Sequence, residues 1–381
     1  MTSVVLFEER RADNGARIGI ARLNAEKTLN ALTLEMIDLM NERLAAWVAD
    51  PAIALVAMEG TGERAFCAGG DLHALRGSIL EHRASARRDD VRANAYALAF
   101  FSREYRLDYL IHNYPKPVLC WGHGIVMGGG LGLMGGASHR VVTERSRIAM
   151  PEISIGLYPD VGGTWLLNRM PGRIGLFLAL TGAPLNASDA LFAGAADYEI
   201  RQSDKALIFD ALLTQPWTTS RPENDRLLTN VLLGSSVSPD ETVGPARANF
   251  DLIDNLCSYA SVSEIAAAIA GITAQDPWLQ QAAATLAAGS PSSAALSHAL
   301  QQRARDLSLA DVFRMELVAS MHCAARPDFA EGIRALLIDK DRRPAWSPVT
   351  LAEAERSIAG YFVSPWQPTE HPLADLGAMS G

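Results

Sequence analysis

Gly128, Gly129 and Gly130 stand side by side in this chain, and Gly132 follows two residues later. With no Cβ in the way, such a run lets the backbone close on a ligand and take positive φ without steric cost. Two carboxylates come next, Glu152 and Asp160, each directly behind a proline. Backbone N–H donors with fixed carboxylates nearby are what acyl chemistry at a thioester requires. The amides steady a developing oxyanion, and a carboxylate moves a proton.

The glycine run follows a strand-like segment ending near Trp121 and opens a helical one, so free N–H groups are expected at a helix N-terminus. A second glycine-rich loop, Phe66-Cys67-Ala68-Gly69-Gly70-Asp71, is suited to supply another donor. Spacing alone leaves two readings open: an oxyanion site, or glycines that serve only close helix packing. Glu152 and Asp160 are open in the same way. They read either as proton-exchanging acids in an apolar setting (Ile153, Ile155, Leu157) or as a surface glutamate and a helix-cap aspartate. His123, directly before the glycine run, reads as a catalytic histidine or, better, as a satisfied core histidine, and His73 and His139 have no partner at a recognisable spacing.

Other chemistries lack their residues. No Gly-x-Gly-x-x-Gly comes directly after a fitting strand with an acidic residue about 20 positions on, as a dinucleotide site requires, and no Gly-Lys-Ser/Thr marks a phosphate loop. There is no Gly-x-Ser-x-Gly elbow. Cys67, Cys120, Cys257 and Cys323 lie far apart and form no zinc spacing, so no metal is expected. They read as buried free thiols of a reducing compartment. The net charge of −9 argues against a nucleic-acid surface. The start of the chain shows no basic, apolar or Arg/Ser-rich leader, and residues 118–136 read as a buried strand-turn-helix, not a bilayer span. A cytoplasmic protein without a membrane partner is expected.

These residues need elements to hold them. Residues 4–8 and 16–23 read as strands joined at Asp13-Asn14-Gly15. Thr33 caps a predicted helix over 34–48, and 53–58 reads as a strand buried on both faces. Residues 78–90 read as a charged loop, and 91–112 as a helix broken by Pro115 and Pro117. Short strands are expected at 118–121, 140–143 and 147–150, with helices at 129–136, 174–180 and 188–193. After about residue 200 strand-like runs nearly vanish. Helical patterns cover 263–270 and 277–288, another helix starts at Ser290-Pro291-Ser292, and Ser308 caps one through His322 with Asp311 in its first turn. Residues 214–246 read as irregular. The expected division is a core over 1–200, a helical region over 201–345 covering the active site, and a surface tail over 346–381. The expected class is α/β, with stacked β–β–α units and helices outside.

Several of these stretches together resemble the crotonase (enoyl-CoA hydratase/isomerase) superfamily: FCAGGD at 66–71, GHGIVMGGGLG at 122–132, AMPEISIGLYPDVGG at 149–163 and Leu180-Thr181-Gly182. Within it, Pro159-Asp160-Val161-Gly162-Gly163 is similar to the signature of the 3-hydroxyisobutyryl-CoA hydrolases. So are Phe329-Ala330-Glu331-Gly332-Ile333-Arg334-Ala335, Leu337-Ile338-Asp339-Lys340-Asp341 and Pro344-Ala345-Trp346. The resemblance implies a crotonase-like spiral and hydrolysis of a short 3-hydroxyacyl-CoA ester in valine breakdown. It implies no cofactor beyond the CoA carried by the substrate, and a possible homo-oligomer.

Residue by residue, the resemblance makes Gly70 and Gly129 the oxyanion donors and Ala68 a contact of the CoA adenine, with Gly69 and Asp71 beside it. Glu152 matches the catalytic glutamate, Asp160 the hydrolase's second acid, and Glu104 an acidic substrate contact. Arg83, Arg87 and Arg88 read either as partners of CoA phosphates or as a solvated charged loop. One position departs from the hydratases, which need a second glutamate two residues after the glycine triplet. Here it is Gly132. Concerted hydration is thereby disfavoured. The alternatives are another crotonase-type reaction, or a non-catalytic acyl-CoA-binding subunit.

Overall fold

Asp13, Asn14 and Gly15 turn the chain between β1 (Val5–Arg11) and β2 (Arg17–Leu23). Gly15 takes φ +90°, and the Asn14 side chain accepts the Ala16 N–H at 3.2 Å. The antiparallel register runs from Val5 opposite Leu23 to Arg11 opposite Arg17. The computed structural model describes residues 3–237 and 243–378. These fall into two units interleaved along the chain. One is formed by Met1–Gly70, Leu107–Ile148 and Leu185–Ala248, the other by Asp71–Arg106, Ala149–Pro184 and Asn249–Gly381.

The first unit contains β3 (Ile53–Gly60), β4 (Ala65–Cys67), β5 (Val118–Gly122), β6 (Ile125–Met127), β7 (His139–Val142), most of β8 (Arg147–Ala149) and β9 (Tyr198–Glu199). A six-stranded sheet runs β1-β2-β3-β5-β7-β9, and a three-stranded sheet runs β4-β6-β8. Every residue of β3 is buried, as its continuous apolar run predicts for a strand covered on both faces. Leu55, Leu119, Trp121 and Val141 of the large sheet pack with Phe209, Leu212 and Leu228 into one cluster. Burying each such side chain stabilises the fold by roughly 1.5–3 kcal/mol.

Helix Leu34–Ala49 starts where expected, the Thr33 hydroxyl accepting the Met36 N–H at 3.1 Å. Residues 214–246 depart from the irregular reading. Helix Arg221–Leu233 occupies their middle, with proline in its first turn and Leu228 and Leu232 buried. The Asn224 side chain donates to Ala54 O, so tertiary contacts carry a helix whose own pattern is weak. Residues 238–242 of that stretch lie outside the described residues.

The second unit is mostly helical. Where a charged loop was predicted, helix Leu72–Ala84 runs into 78–90. Asp71 caps it, accepting the Ala74 N–H at 3.1 Å, and only Leu75, Ile79 and His82 are buried. That narrow stripe is easily missed among charges. The predicted helix over 91–112 is a short 3-10 turn, Val91–Ala93, then helix Ala95–His112. Ser308 caps helix Leu309–Ala325 as expected, accepting the Asp311 N–H at 3.1 Å. Residues 346–381 are not simply a surface tail. A Thr350/Glu353 capping box starts helix Leu351–Ser357, Tyr361 and Leu373 are buried, and Arg106 forms a two-pronged ion pair with Asp375. Among the described residues, no helix is long and apolar enough to cross a membrane.

Candidate active site

In the first unit, β4 and β6 are parallel neighbours, so both glycine loops leave from the same edge of the small sheet. β4 ends at Cys67 and leads into Ala68, Gly69 and Gly70. β6 ends at Met127 and leads into Gly128, Gly129 and Gly130. Gly128 has φ 49°, ψ −124°, a conformation that only glycine takes comfortably. It sets up helix Gly129–Gly135, whose first amides have no intrahelical acceptor.

Gly130 answers to packing instead: a Cβ there would stand 2.3 Å from Cys67 O. The packing reading of the glycine run therefore holds at Gly130. In the other loop Ala68 N–H donates to Leu29 O, and Gly69 O accepts Leu32 N–H at 2.8 Å. Among the described residues, neither the Gly70 nor the Gly129 N–H has an acceptor. His123, in the same unit, is a core histidine bonded to Gly62 O at 2.9 Å. His139 is likewise bonded, to Ser138 and Thr229.

The carboxylates belong to the second unit. Pro151 leads into the 3-10 turn Glu152–Ile155, which Gly156 ends at φ 75°. This turn packs at backbone distance against helix Pro327–Ile333. A Cβ on Gly156 would meet Asp328 O at 2.4 Å, and one on Gly332 would meet Ile155 Cα at 2.5 Å. Glu152 is 5% exposed, and its Oε2 has no hydrogen-bond partner among the described residues. Burial, reinforced by the nearby Asp160 charge, holds its proton affinity well above the ordinary carboxylate range.

Asp160 opens a tight turn. Gly163 N–H donates back to Asp160 O at 2.6 Å, and the two central residues both have positive φ, Val161 at 54° and Gly162 at 77°. This is the type I′ geometry. Positive φ on a β-branched residue is an outlier with a cost of order 1–3 kcal/mol, persisting only where neighbours enforce it. Here they do. Helix Leu309–Ala325 presents Phe313 and Glu316 to the turn. Glu316 accepts the Gly162 N–H at 2.8 Å and the Thr164 N–H at 3.1 Å, and a Cβ on Gly162 would meet the Phe313 ring at 3.0 Å.

Asp160 Oδ2 lies in hydrogen-bond contact with the Tyr105 hydroxyl at 2.7 Å, and Tyr105 also bonds Ser320 at 2.7 Å. Burial raises Asp160 to about 7, against the lowering effect of that hydroxyl. It raises Glu316 to about 8. Glu104, buried on helix Ala95–His112, is pushed up by burial and by the Asp160 charge. Four buried acids of high proton affinity in one unit suit proton exchange.

The profile of the enoyl-CoA hydratase/isomerase family matches residues 18–362. The chain belongs to the enoyl-CoA hydratase/isomerase family. Among its relatives, the mitochondrial 3-hydroxyisobutyryl-CoA hydrolase of Danio rerio is 38% identical, over 92% of this chain and 86% of that protein. The Homo sapiens protein of the same name is 34% identical over 91% and 86%. A solved carnitinyl-CoA dehydratase from Mycobacterium thermoresistibile is 35% identical, covering 95% of this chain and 97% of that one, with a TM-score of 0.82.

Gly132 lies buried inside helix Gly129–Gly135 and carries no carboxylate. Ala68 is half-buried beside Gly69, while the Asp71 carboxylate caps helix Leu72–Ala84. Arg87 pairs with Asp90 at 2.8 Å, and Arg83 and Arg88 are exposed. Sequence reasoning missed Tyr105, Tyr158, Glu316 and Ser320. The available signal was a glutamate and a serine four apart on an otherwise apolar helical face (Phe313, Leu317, Met321).

Proposed function

We propose that this chain hydrolyses a short 3-hydroxyacyl-CoA thioester, 3-hydroxyisobutyryl-CoA foremost, giving the 3-hydroxy acid and free CoA, as a step of valine degradation. The observation that carries the reading is that Glu152 and Asp160 are both buried in the second unit, near enough for the Asp160 charge to raise the Glu152 proton affinity, while Gly132 offers no carboxylate. The relatives named as 3-hydroxyisobutyryl-CoA hydrolases support the substrate.

In this reading the first unit's Gly70 and Gly129 amides stabilise the charge that develops on the thioester oxygen. Ala68 and Gly69 line the CoA approach. In the second unit Glu152, ionised and with its proton affinity raised, draws a proton from water, and the hydroxide adds to the carbonyl carbon. The carbon–sulfur bond then breaks and the thiolate leaves, taking a proton to become CoA–SH. Asp160 and Glu104 meet the 3-hydroxyl of the acyl group. The reaction so read needs no metal or redox cofactor. The proposal includes a reducing, cytoplasmic compartment, which four buried cysteines, none in a disulfide among the described residues, support.

A thiol-release assay across 3-hydroxyacyl-CoA esters, run beside loss of enoyl absorbance on enoyl-CoA, tests the proposal. Enoyl turnover without thiol release overturns it, and so does CoA-ester binding without turnover. Single turnover in ¹⁸O-water checks the role of Glu152: label appearing in its carboxyl replaces the base role with an acyl-anhydride route.

A further inference from the structure

A chain of short oxygen–oxygen contacts runs from Asp160 into helix Leu309–Ala325. Asp160 Oδ2 to Tyr105 Oη is 2.7 Å, Tyr105 Oη to Ser320 Oγ 2.7 Å, Ser320 Oγ to Tyr158 Oη 2.8 Å, and Tyr158 Oη to Glu316 O 2.6 Å. Tyr105, Tyr158 and Ser320 are each fully buried. Four contacts therefore have to be filled from three hydroxyl protons, one per residue.

With Asp160 ionised, Tyr105 donates to it, Ser320 donates to Tyr105, and Tyr158 donates to the Glu316 carbonyl. Ser320 and Tyr158 then face each other at 2.8 Å, lone pair to lone pair. Turning Ser320 toward Tyr158 only moves the unfilled contact to Tyr105. With Asp160 protonated, every contact is filled in one direction: Asp160 to Tyr105, Tyr105 to Ser320, Ser320 to Tyr158, Tyr158 to the carbonyl. Buried polar contacts left without a hydrogen are costly, and chained ones reinforce each other.

We propose that the buried Tyr105–Ser320–Tyr158 relay keeps Asp160 protonated in the resting protein, because only a proton on Asp160 fills all four contacts. When Asp160 ionises, its proton departs, the Tyr105 and Ser320 hydroxyls rotate to reverse direction, and no other bond changes. The other titratable groups facing Asp160 are Glu104 from helix Ala95–His112, Glu152 from its 3-10 turn, and Glu316 and Cys323 from helix Leu309–Ala325. None is a cation that would hold it ionised. The consequence rests on the function proposed above. A neutral Asp160 donates to Tyr105 through one oxygen and accepts the substrate 3-hydroxyl with the other, leaving Glu152 the charge it needs as a base. Tyr105, Ser320 and Tyr158 are thus positioning residues.

The test is infrared difference titration of the full chain without substrate, following the carboxylic-acid carbonyl band that Asp160→Asn removes. The expected wild-type band is present at pH 6 and fades as pH rises through about 7. Tyr158→Phe, which does not touch Asp160, leaves two contacts for two protons and lowers the midpoint by roughly one pH unit, about one buried hydrogen bond. Ser320→Ala shifts it the same way and serves if Tyr158→Phe does not fold. Tyr105→Phe removes the donor to the ionised form and raises the midpoint. A band absent from wild type at pH 6, or a midpoint unchanged or raised in both Tyr158→Phe and Ser320→Ala, overturns the proposal. The readout needs no turnover, so its failure is separate from failure of the thiol-release assay.

Discussion

Glu316 and Gly162 are 154 positions apart, yet the Glu316 carboxylate takes the Gly162 N–H at 2.8 Å and, with its other oxygen, the Thr164 N–H at 3.1 Å. This clamp holds a positive-φ valine in place next to Asp160. Glu316→Ala leaves two buried donors unfilled and a void beside them. It is expected to destabilise the fold by about 2–5 kcal/mol in urea unfolding. Glu316→Gln keeps one acceptor oxygen and is expected to cost less, about 1–2 kcal/mol. Equal stability of wild type and Glu316→Ala would show that the turn does not need the clamp.

Glu152 offers an unpartnered, buried carboxyl oxygen. Glu152→Gln keeps its volume and removes its charge, so the fold is expected to survive while thiol release falls by about 10²–10⁴. Circular dichroism and the thiol assay on one preparation check both halves. A variant with near wild-type release would strip Glu152 of its role.

Elements whose signals are local were readable in the sequence. The Asp13–Gly15 turn, the Thr33 and Ser308 caps and the solid apolar run of β3 each carry their cause within a few residues. Glycines at the small-sheet edge were readable as a cluster. Only the structure separates Gly128, which needs its backbone conformation, from Gly130, which needs the space beside Cys67. Helix Arg221–Leu233 was hidden because a tertiary bond from Asn224 supports it. The partners of Asp160 were hidden for the same reason: Tyr105 and Ser320 are 215 positions apart and meet only in the folded unit.

The buried acids give stability a pH dependence opposite to that of surface ion pairs. Asp160 rises from 3.8 to about 7 and Glu316 from 4.5 to about 8, both mainly through burial. The folded state therefore keeps protons that the unfolded chain gives up near pH 4. Their contribution is complete below about pH 4 and is lost as pH climbs through 7 and 8. Each group steepens the loss by up to about 1.4 kcal/mol per pH unit in that window. Urea unfolding at pH 5 and pH 8 should show wild type losing more stability over this interval than Asp160→Asn. Parallel pH dependences in the two proteins would contradict this.

Gly129 and Gly130 separate the amide from the packing. Gly129 begins its helix, the position where proline's fixed φ and missing N–H are tolerated. Gly129→Pro is therefore expected to fold and to lose turnover, because an oxyanion donor typically supplies about 3–4 kcal/mol of barrier lowering. Gly130→Ala keeps every amide but drives a methyl to 2.3 Å from the Cys67 carbonyl, where the neighbour is backbone and cannot swing aside. It is expected to lower the unfolding midpoint by an amount typical of overpacking, about 1–3 kcal/mol, with kcat falling less than in Gly129→Pro. Measured together, unfolding midpoint and thiol release should move in opposite order in the two variants. If Gly129→Pro turns over normally while folded, its N–H holds no oxyanion. If Gly130→Ala is as stable as wild type, the β4 and β6 loops are not packed as closely as that contact requires.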